Sequence, residues 1–73
     1  MKIGKLYRIK SDHIFTFYSI DNRSVVINRD NVFTLLSLKG PSDWVTITIL
    51  YKCKIYQRIA VYSCLEDHYM EVS

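Results

Sequence analysis

The stretch Trp44-Val45-Thr46-Ile47-Thr48-Ile49-Leu50-Tyr51 decides the fold. Apolar residues occupy every second position from Val45 to Tyr51, and two threonines lie between them. Because successive side chains of a β-strand point to opposite faces, this alternation predicts a half-buried strand. A short Lys-Cys-Lys break follows, and a second β-rich run comes directly after it at residues 55–59. The two runs predict a hairpin in an antiparallel sheet.

The rest of the chain continues this pattern. We predict strands at residues 5–10, 15–20, 24–27, 32–38, 44–51, 55–59 and 64–72. Turn-forming residues separate them at 21–23 and 28–31, and the break at 39–43 holds the only proline. Residues 32–38 also fit a helical period, but their short length and flanking turns favour a strand. The sequence therefore predicts an all-β fold.

Length and composition predict one small globular domain over residues 1–73. A chain of this size buries about 60% of the surface that its unfolded form exposes, which leaves no material for a second domain. No apolar segment approaches the roughly 20 residues that a membrane helix needs. The charged N-terminal residues lack the apolar core of a secretory signal. We therefore expect a cytoplasmic protein without membrane attachment.

The sequence contains no recognisable constellation of catalytic or metal-binding residues. His13 and His68 each stand beside a single aspartate, and no further ligands or nucleophile accompany them. No serine lies in a nucleophile motif, and Gly4 and Gly40 are too isolated to cradle a phosphate. We expect no enzymatic activity, no cofactor and no metal site.

The order of these elements resembles a Src-homology-3-like (SH3-like) barrel over about residues 5–66. Five features carry the resemblance: an aromatic near the end of the first strand, a long first loop, a tryptophan that opens the third strand, a tight hairpin, and a 3₁₀ turn before the last strand. They correspond here to Tyr7, residues 11–23, Trp44, residues 52–54 and residues 60–63. The resemblance implies a small antiparallel barrel of five to six strands.

Aromatic residues make up 14% of the chain, more than so small an interior needs, so some rings should be exposed. In peptide-binding SH3 domains, an aromatic groove beside the long first loop receives a polyproline segment. The resemblance places Tyr7, Trp44 and Tyr62 in that groove, but the family's proline and acidic first loop are absent here. Trp44 fits either core packing or an interface. Our first hypothesis is a binding module that docks on another protein through these residues and the first-loop rings Phe15 and Tyr18.

The opening residues 2–10 and the Trp44 strand also resemble small phage-encoded barrels. That resemblance implies an accessory protein that binds a host or phage component, in the host cytoplasm.

Basic residues suggest a second hypothesis, nucleic-acid binding. Residues 1–65 carry a net charge of +6, and the acidic C-terminal residues reduce the total to +3. Cations can hold phosphates by counterion release, and exposed rings can stack on bases. The candidate residues are Arg8 and Lys10 on the first strand and Lys52, Lys54 and Arg58 around the hairpin. A structural homo-oligomer formed through an open strand edge is the third hypothesis.

Overall fold

The computed structural model describes residues 1–10 and 12–72. Ser11, the first residue of the predicted long loop, and Ser73, the last of the predicted domain, lie outside the described residues. The described residues form seven strands, a 3₁₀ turn and one turn of α-helix: β1 (Leu6–Ile9), β2 (Phe15–Tyr18), β3 (Ser24–Ile27), β4 (Phe33–Lys39), β5 (Trp44–Tyr51), β6 (Lys54–Val61), the 3₁₀ turn (Tyr62–Cys64), α1 (Leu65–His68) and β7 (Tyr69–Glu71). The all-β prediction is confirmed, whereas the prediction of five to six strands is wrong.

The main differences from the predicted elements lie from the end of β6 onward. Ala60 and Val61, which we assigned to the 3₁₀ turn, instead continue β6, because they pair with Val45 and Trp44. The predicted strand at residues 64–72 is wrong in its first half, where α1 buries Leu65 against the core. The strand prediction at residues 32–38 is confirmed by β4. No helix in the described part of the chain is long and apolar enough to cross a membrane.

All strands belong to one antiparallel sheet in the order β3-β2-β6-β5-β4-β1-β7. The most extensive ladder joins β5 and β6, which pair along their entire length from Trp44↔Val61 to Tyr51↔Lys54. In β4, the register shifts between Leu35 and Ser37, and such a bulge bends a strand and increases its twist. The sheet curls into a half-barrel.

The concave side of the sheet encloses the hydrophobic core. Val45, Ile47, Ile49 and Tyr51 are all buried, which confirms the predicted alternation along β5. Fully buried side chains from other strands pack with them, namely Ile9, Phe17, Ile27, Phe33 and Leu35. The core therefore comes from alternate positions of nearly every strand.

The turn between β5 and β6 contains only two residues, Lys52 and Cys53. Their φ angles are +50° and +64°. Positive φ at both central positions is typical of a type I′ turn, whose twist matches that of the flanking strands. This turn usually contains glycine or asparagine, because a Cβ atom makes the left-handed region unfavourable.

Side chains, rather than backbone pairing, span the open side of the half-barrel. The Phe15 ring on β2 lies 5.7 Å from the Tyr69 ring on β7 and 5.1 Å from that of His68. The Arg58 guanidinium covers Phe15 at 4.5 Å from the ring centroid. The hydroxyl of Tyr69 is buried near the Arg58 guanidinium, but no group in the described structure lies in hydrogen-bond geometry with it. Burial raises the pKa of Tyr69 to about 12, although the nearby Arg58 charge acts in the opposite direction.

We predict that Cys53→Gly stabilises the protein. Glycine adopts positive φ without the Cβ clash, so the free energy of unfolding should rise by about 1 kcal/mol. In a domain of this size the melting temperature should rise by about 4–8 °C. Thermal unfolding followed by circular dichroism measures the change. Cys53→Ala removes the same thiol but keeps the Cβ, so an equal gain in that control would contradict the explanation.

We predict that Tyr69 makes stability fall at alkaline pH. Its folded pKa of about 12 lies above the ordinary value of 10, so the unfolded chain loses this proton first as pH rises. Stability should therefore fall between pH 10 and 12, by roughly 1 kcal/mol per pH unit from this group.

Urea unfolding of wild type and Tyr69→Phe at pH 8, 10 and 11.5 tests this prediction. Tyr69→Phe should be at least as stable as wild type at pH 8, because it removes an unpartnered buried hydroxyl. Its advantage should grow above pH 10. The exposed Tyr18→Phe serves as the control, and an equal pH-dependent gain in that variant would refute the assignment to Tyr69.

Candidate interaction surface

The convex side of β5 and β6 is uncharged. Because the two strands pair residue by residue, the side chains that alternate with the core positions point away from the core. We call these outward positions, together with Tyr18 of the adjoining β2, the outer face. Its members on β5 and β6 are Trp44, Thr46, Thr48, Leu50, Ile55, Gln57, Ile59 and Val61. None of these positions carries a charge.

Large apolar side chains on the outer face are exposed to solvent. The exposed fraction is 66% for Ile59, 58% for Trp44, 57% for Ile55 and 56% for Tyr18. The solvent side of an antiparallel sheet is ordinarily polar. Scattered apolar residues on a surface need no explanation, but a contiguous patch is typical of an interaction site. This face is therefore the candidate functional site.

Trp44 and Tyr62 lie at one end of the outer face. Tyr62 follows Val61, the residue paired with Trp44, and its backbone N–H donates to the carbonyl oxygen of Asp43 at 2.7 Å. Its side chain is 60% exposed. Gly40 allows the preceding loop to lie against β5, since a Cβ there would overlap the Trp44 carbonyl oxygen. These close backbone contacts fix the position of the Trp44 backbone, from which its side chain projects.

A shallow groove runs along the outer face between β2 and β6. Tyr18, Thr46 and Ile59 line one part of it. Ile20 and Ile55 line the adjoining part, beside the turn that joins β2 to β3. In this turn a hydrogen bond from Ser19 and the charge of Arg23 lower the pKa of Asp21 below its ordinary value. Charged groups also line the groove: Arg58 in the part beside Tyr18, and Asp21, Arg23 and Lys54 in the part beside Ile55.

The five aromatic residues predicted to bind a partner do not form one surface. Trp44, Tyr18 and Tyr62 are exposed, as that hypothesis requires. Tyr7 is instead a core residue, 4% exposed, and its hydroxyl accepts a hydrogen bond from the Lys2 backbone N–H at 2.5 Å. Phe15 is partly buried in the cluster that spans the open side of the half-barrel. We therefore exclude Tyr7 and Phe15 from the docking surface.

The five basic residues predicted to bind nucleic acid also separate. Arg8 and Lys10 line a groove near the end of β1, where the structure adds Arg29 from the loop before β4. Acidic groups accompany these cations: Asp30 lines the same groove, and Asp12 forms an ion pair with Arg29 at 3.2 Å.

The remaining basic residues belong to the hairpin. Lys52 and Lys54 are exposed at its tip, and β4 and β5 separate β6 from β1 in the sheet. Arg58 does not join them, because it occupies an inward position opposite Ile47. Its guanidinium donates to the Thr16 carbonyl oxygen at 3.2 Å and stacks on Phe15. The Arg58 side chain therefore holds β2 and β6 together at the open side.

Sequence reasoning missed the apolar members of the outer face, Leu50, Ile55, Ile59 and Val61. Their orientation depends on the hairpin register, and the two-residue turn pairs Tyr51 with Lys54. A break of three residues would have paired Tyr51 with Ile55 and turned Ile55 and Ile59 toward the core. The length of the turn was the signal that could have identified these positions.

The described residues include no group of three or more His, Cys, Asp or Glu side chains arranged to hold a metal ion. The side chains of the outer face expose apolar area, aromatic rings and hydroxyl groups. Comparison with known proteins found no matching family model, no matching curated protein and no matching solved structure.

Proposed function

We propose that this chain is a small non-catalytic module that docks on another protein through its outer face. The observation that carries the proposal is the run of eight uncharged outward positions on β5 and β6, at which Trp44, Ile55 and Ile59 are more than half exposed. Removing apolar surface from water is favourable by about 25 cal/mol per Å². A partner that covers this face therefore gains stabilisation without leaving a charge buried.

The aromatic residues are suited to act as anchors. Tryptophan and tyrosine are enriched among the residues that contribute most to protein–protein binding. Trp44 and Tyr18 are attached to paired strands, so their backbones are already ordered before binding. Ordering the partner-binding side chains then loses less conformational entropy than it would on a mobile loop.

The resemblance to SH3-like and small phage-encoded barrels supports the same class of function. We propose an SH3-like barrel that serves as a phage-type accessory protein in the host cytoplasm, where its target is a host or phage protein. The curled antiparallel sheet and the 3₁₀ turn after β6 agree with this architecture. The proposed docking surface differs from the polyproline groove of that family, because Tyr7 is buried.

We predict that Ile59→Asp weakens partner binding at least tenfold and leaves the fold intact. The substitution places a charge in the middle of the apolar face, where docking would remove it from water. Ile59 is 66% exposed, so stability should change by about 0.5 kcal/mol or less. Ile14→Asp is the matched control, because Ile14 is similarly exposed, at 64%, but lies in the first loop.

The measurement begins with affinity capture from bacterial lysate, using wild type and both variants. Quantitative mass spectrometry identifies proteins that wild type and Ile14→Asp retain and Ile59→Asp loses, and titration with the purified candidate then gives the dissociation constants. Equal capture by all three proteins would contradict the proposal.

Two further results would assign the function elsewhere. Salt-dependent binding of an oligonucleotide that is lost in Arg8→Ala/Arg29→Ala would support the basic groove. A concentration-dependent dimer, detected by light scattering and abolished by Ile59→Asp, would identify a second copy of the chain as the partner.

A further inference from the structure

Strand β6 lies in the middle of the sheet, but its edge toward β2 is largely unpaired. Toward β5, all eight residues of β6 have a partner. Toward β2, only Gln57 has one, in the pair Tyr18↔Gln57. Within the described residues, the three positions from Ile59 to Val61 have no strand on that side.

The hydrogen-bonding direction of these residues follows from the register. The Tyr62 N–H donates to the Asp43 oxygen, so residue 62 directs its backbone groups toward β5. In an antiparallel ladder this direction alternates from one residue to the next. Val61 and Ile59 therefore direct their N–H and C=O groups away from β5. The two-residue turn leads independently to the same result. It closes on the hydrogen-bonded pair Tyr51↔Lys54, so Lys54 and every second residue after it direct their backbone groups toward β5.

Strand β2 does not cover these groups because it leaves β6 beyond Gln57. Its first residue, Phe15, packs on Tyr69 of β7. The Thr16 carbonyl oxygen accepts its hydrogen bond from the Arg58 side chain rather than from the β6 backbone. β2 therefore makes no backbone pair with Ile59–Val61, and the link between the two strands there is the Arg58 side chain.

We propose that this edge receives an extended segment of the partner protein, which adds a short β-strand alongside residues 59–61. The proposal rests on the docking function of the outer face and specifies how the partner binds. Ile59 and Val61 each offer one donor and one acceptor, and added strands commonly use such edges for affinity. Peptide recognition of this kind places alternate side chains of the segment on the same face as Trp44, Ile59 and Val61.

The chemistry of the bound segment follows from its surroundings. The outward neighbours on β5 and β6 are uncharged, so the complementary segment is uncharged and apolar at alternate positions. A helical segment would bury its apolar side chains on this face but would leave the backbone groups of Ile59 and Val61 unpaired. The open backbone edge therefore favours an extended segment over a helix.

Amide hydrogen exchange tests the open edge in the free protein. We expect the amides of Ile59 and Val61 to exchange at least tenfold faster than those of Arg58 and Ala60, which are bonded to β5. Equal protection of all four amides would show that the edge is covered and would overturn the proposal.

Peptide selection tests the binding mode. The immobilised protein is screened against two displayed peptide libraries, one with apolar residues at alternate positions and one with apolar residues at helical spacing. We expect enrichment from the alternating library. The selected peptide should bind at least tenfold more weakly to Ile59→Pro, which removes an N–H that faces no neighbouring strand, a position at which proline is compatible with a sheet.

Two variants complete the design. Val26→Pro is the control, because Val26 is 57% exposed on the outermost strand β3 and does not belong to the outer face, so this variant should bind like wild type. Val61→Pro replaces Ile59→Pro if the latter fails to fold, and it should show the same loss. Unchanged binding to the folded proline variant would overturn the strand-addition proposal.

The results distinguish this inference from the docking function on which it rests. Enrichment of only the helically spaced library, with binding lost in Ile59→Asp and retained in Ile59→Pro, would leave the docking function standing and refute strand addition. Enrichment of neither library, together with equal lysate capture by wild type and Ile59→Asp, would refute both.

Discussion

The ladder between β5 and β6 is the constraint on which the rest of the structure depends. Its eight pairs set the register of the two central strands, and that register decides which side chains are buried. A shift of one residue would move Ile55 and Ile59 into the core and expose Tyr56 and Ala60. The tight turn at Lys52 and Cys53 prevents the shift despite its unfavourable backbone angles. Local strain at two residues thus maintains both the core and the outer face.

The sequence was sufficient to predict the fold class but not the surface. Alternation along β5 indicated a strand because its inward residues are all apolar and its central outward residues are threonines. In β6 the inward side carries Tyr56, Arg58 and Ala60, and the outward side carries Ile55 and Ile59. Hydrophobicity alone would therefore predict the opposite orientation for β6, with Ile55 and Ile59 in the core. The orientation of β6 is set by the length of the turn that joins it to β5. A periodic pattern within β6 alone does not reveal that length.

Tertiary contacts also account for the errors at Tyr7, Phe15 and Arg58. An aromatic ring on a strand can pack on either face, and burial of Tyr7 depends on β1 lying between β4 and β7. Arg58 occupies an inward position because the sheet remains open beside it. There its aliphatic stem can cover apolar surface while its guanidinium contacts Phe15 and Thr16. Neither environment is encoded in local spacing.

An open strand edge exposes unpaired backbone groups that invite aggregation, and proteins ordinarily protect such edges with charge or short length. The two outermost strands of this sheet follow that rule. β7 has three residues and ends at Glu71, and β3 has four residues and follows Arg23. The edge at Ile59–Val61 has no charged residue within it, and it adjoins the most exposed apolar residues of the outer face. Ile59 leaves this edge without the charge that ordinarily blocks unwanted strand pairing, which is the arrangement expected of an edge that a partner covers.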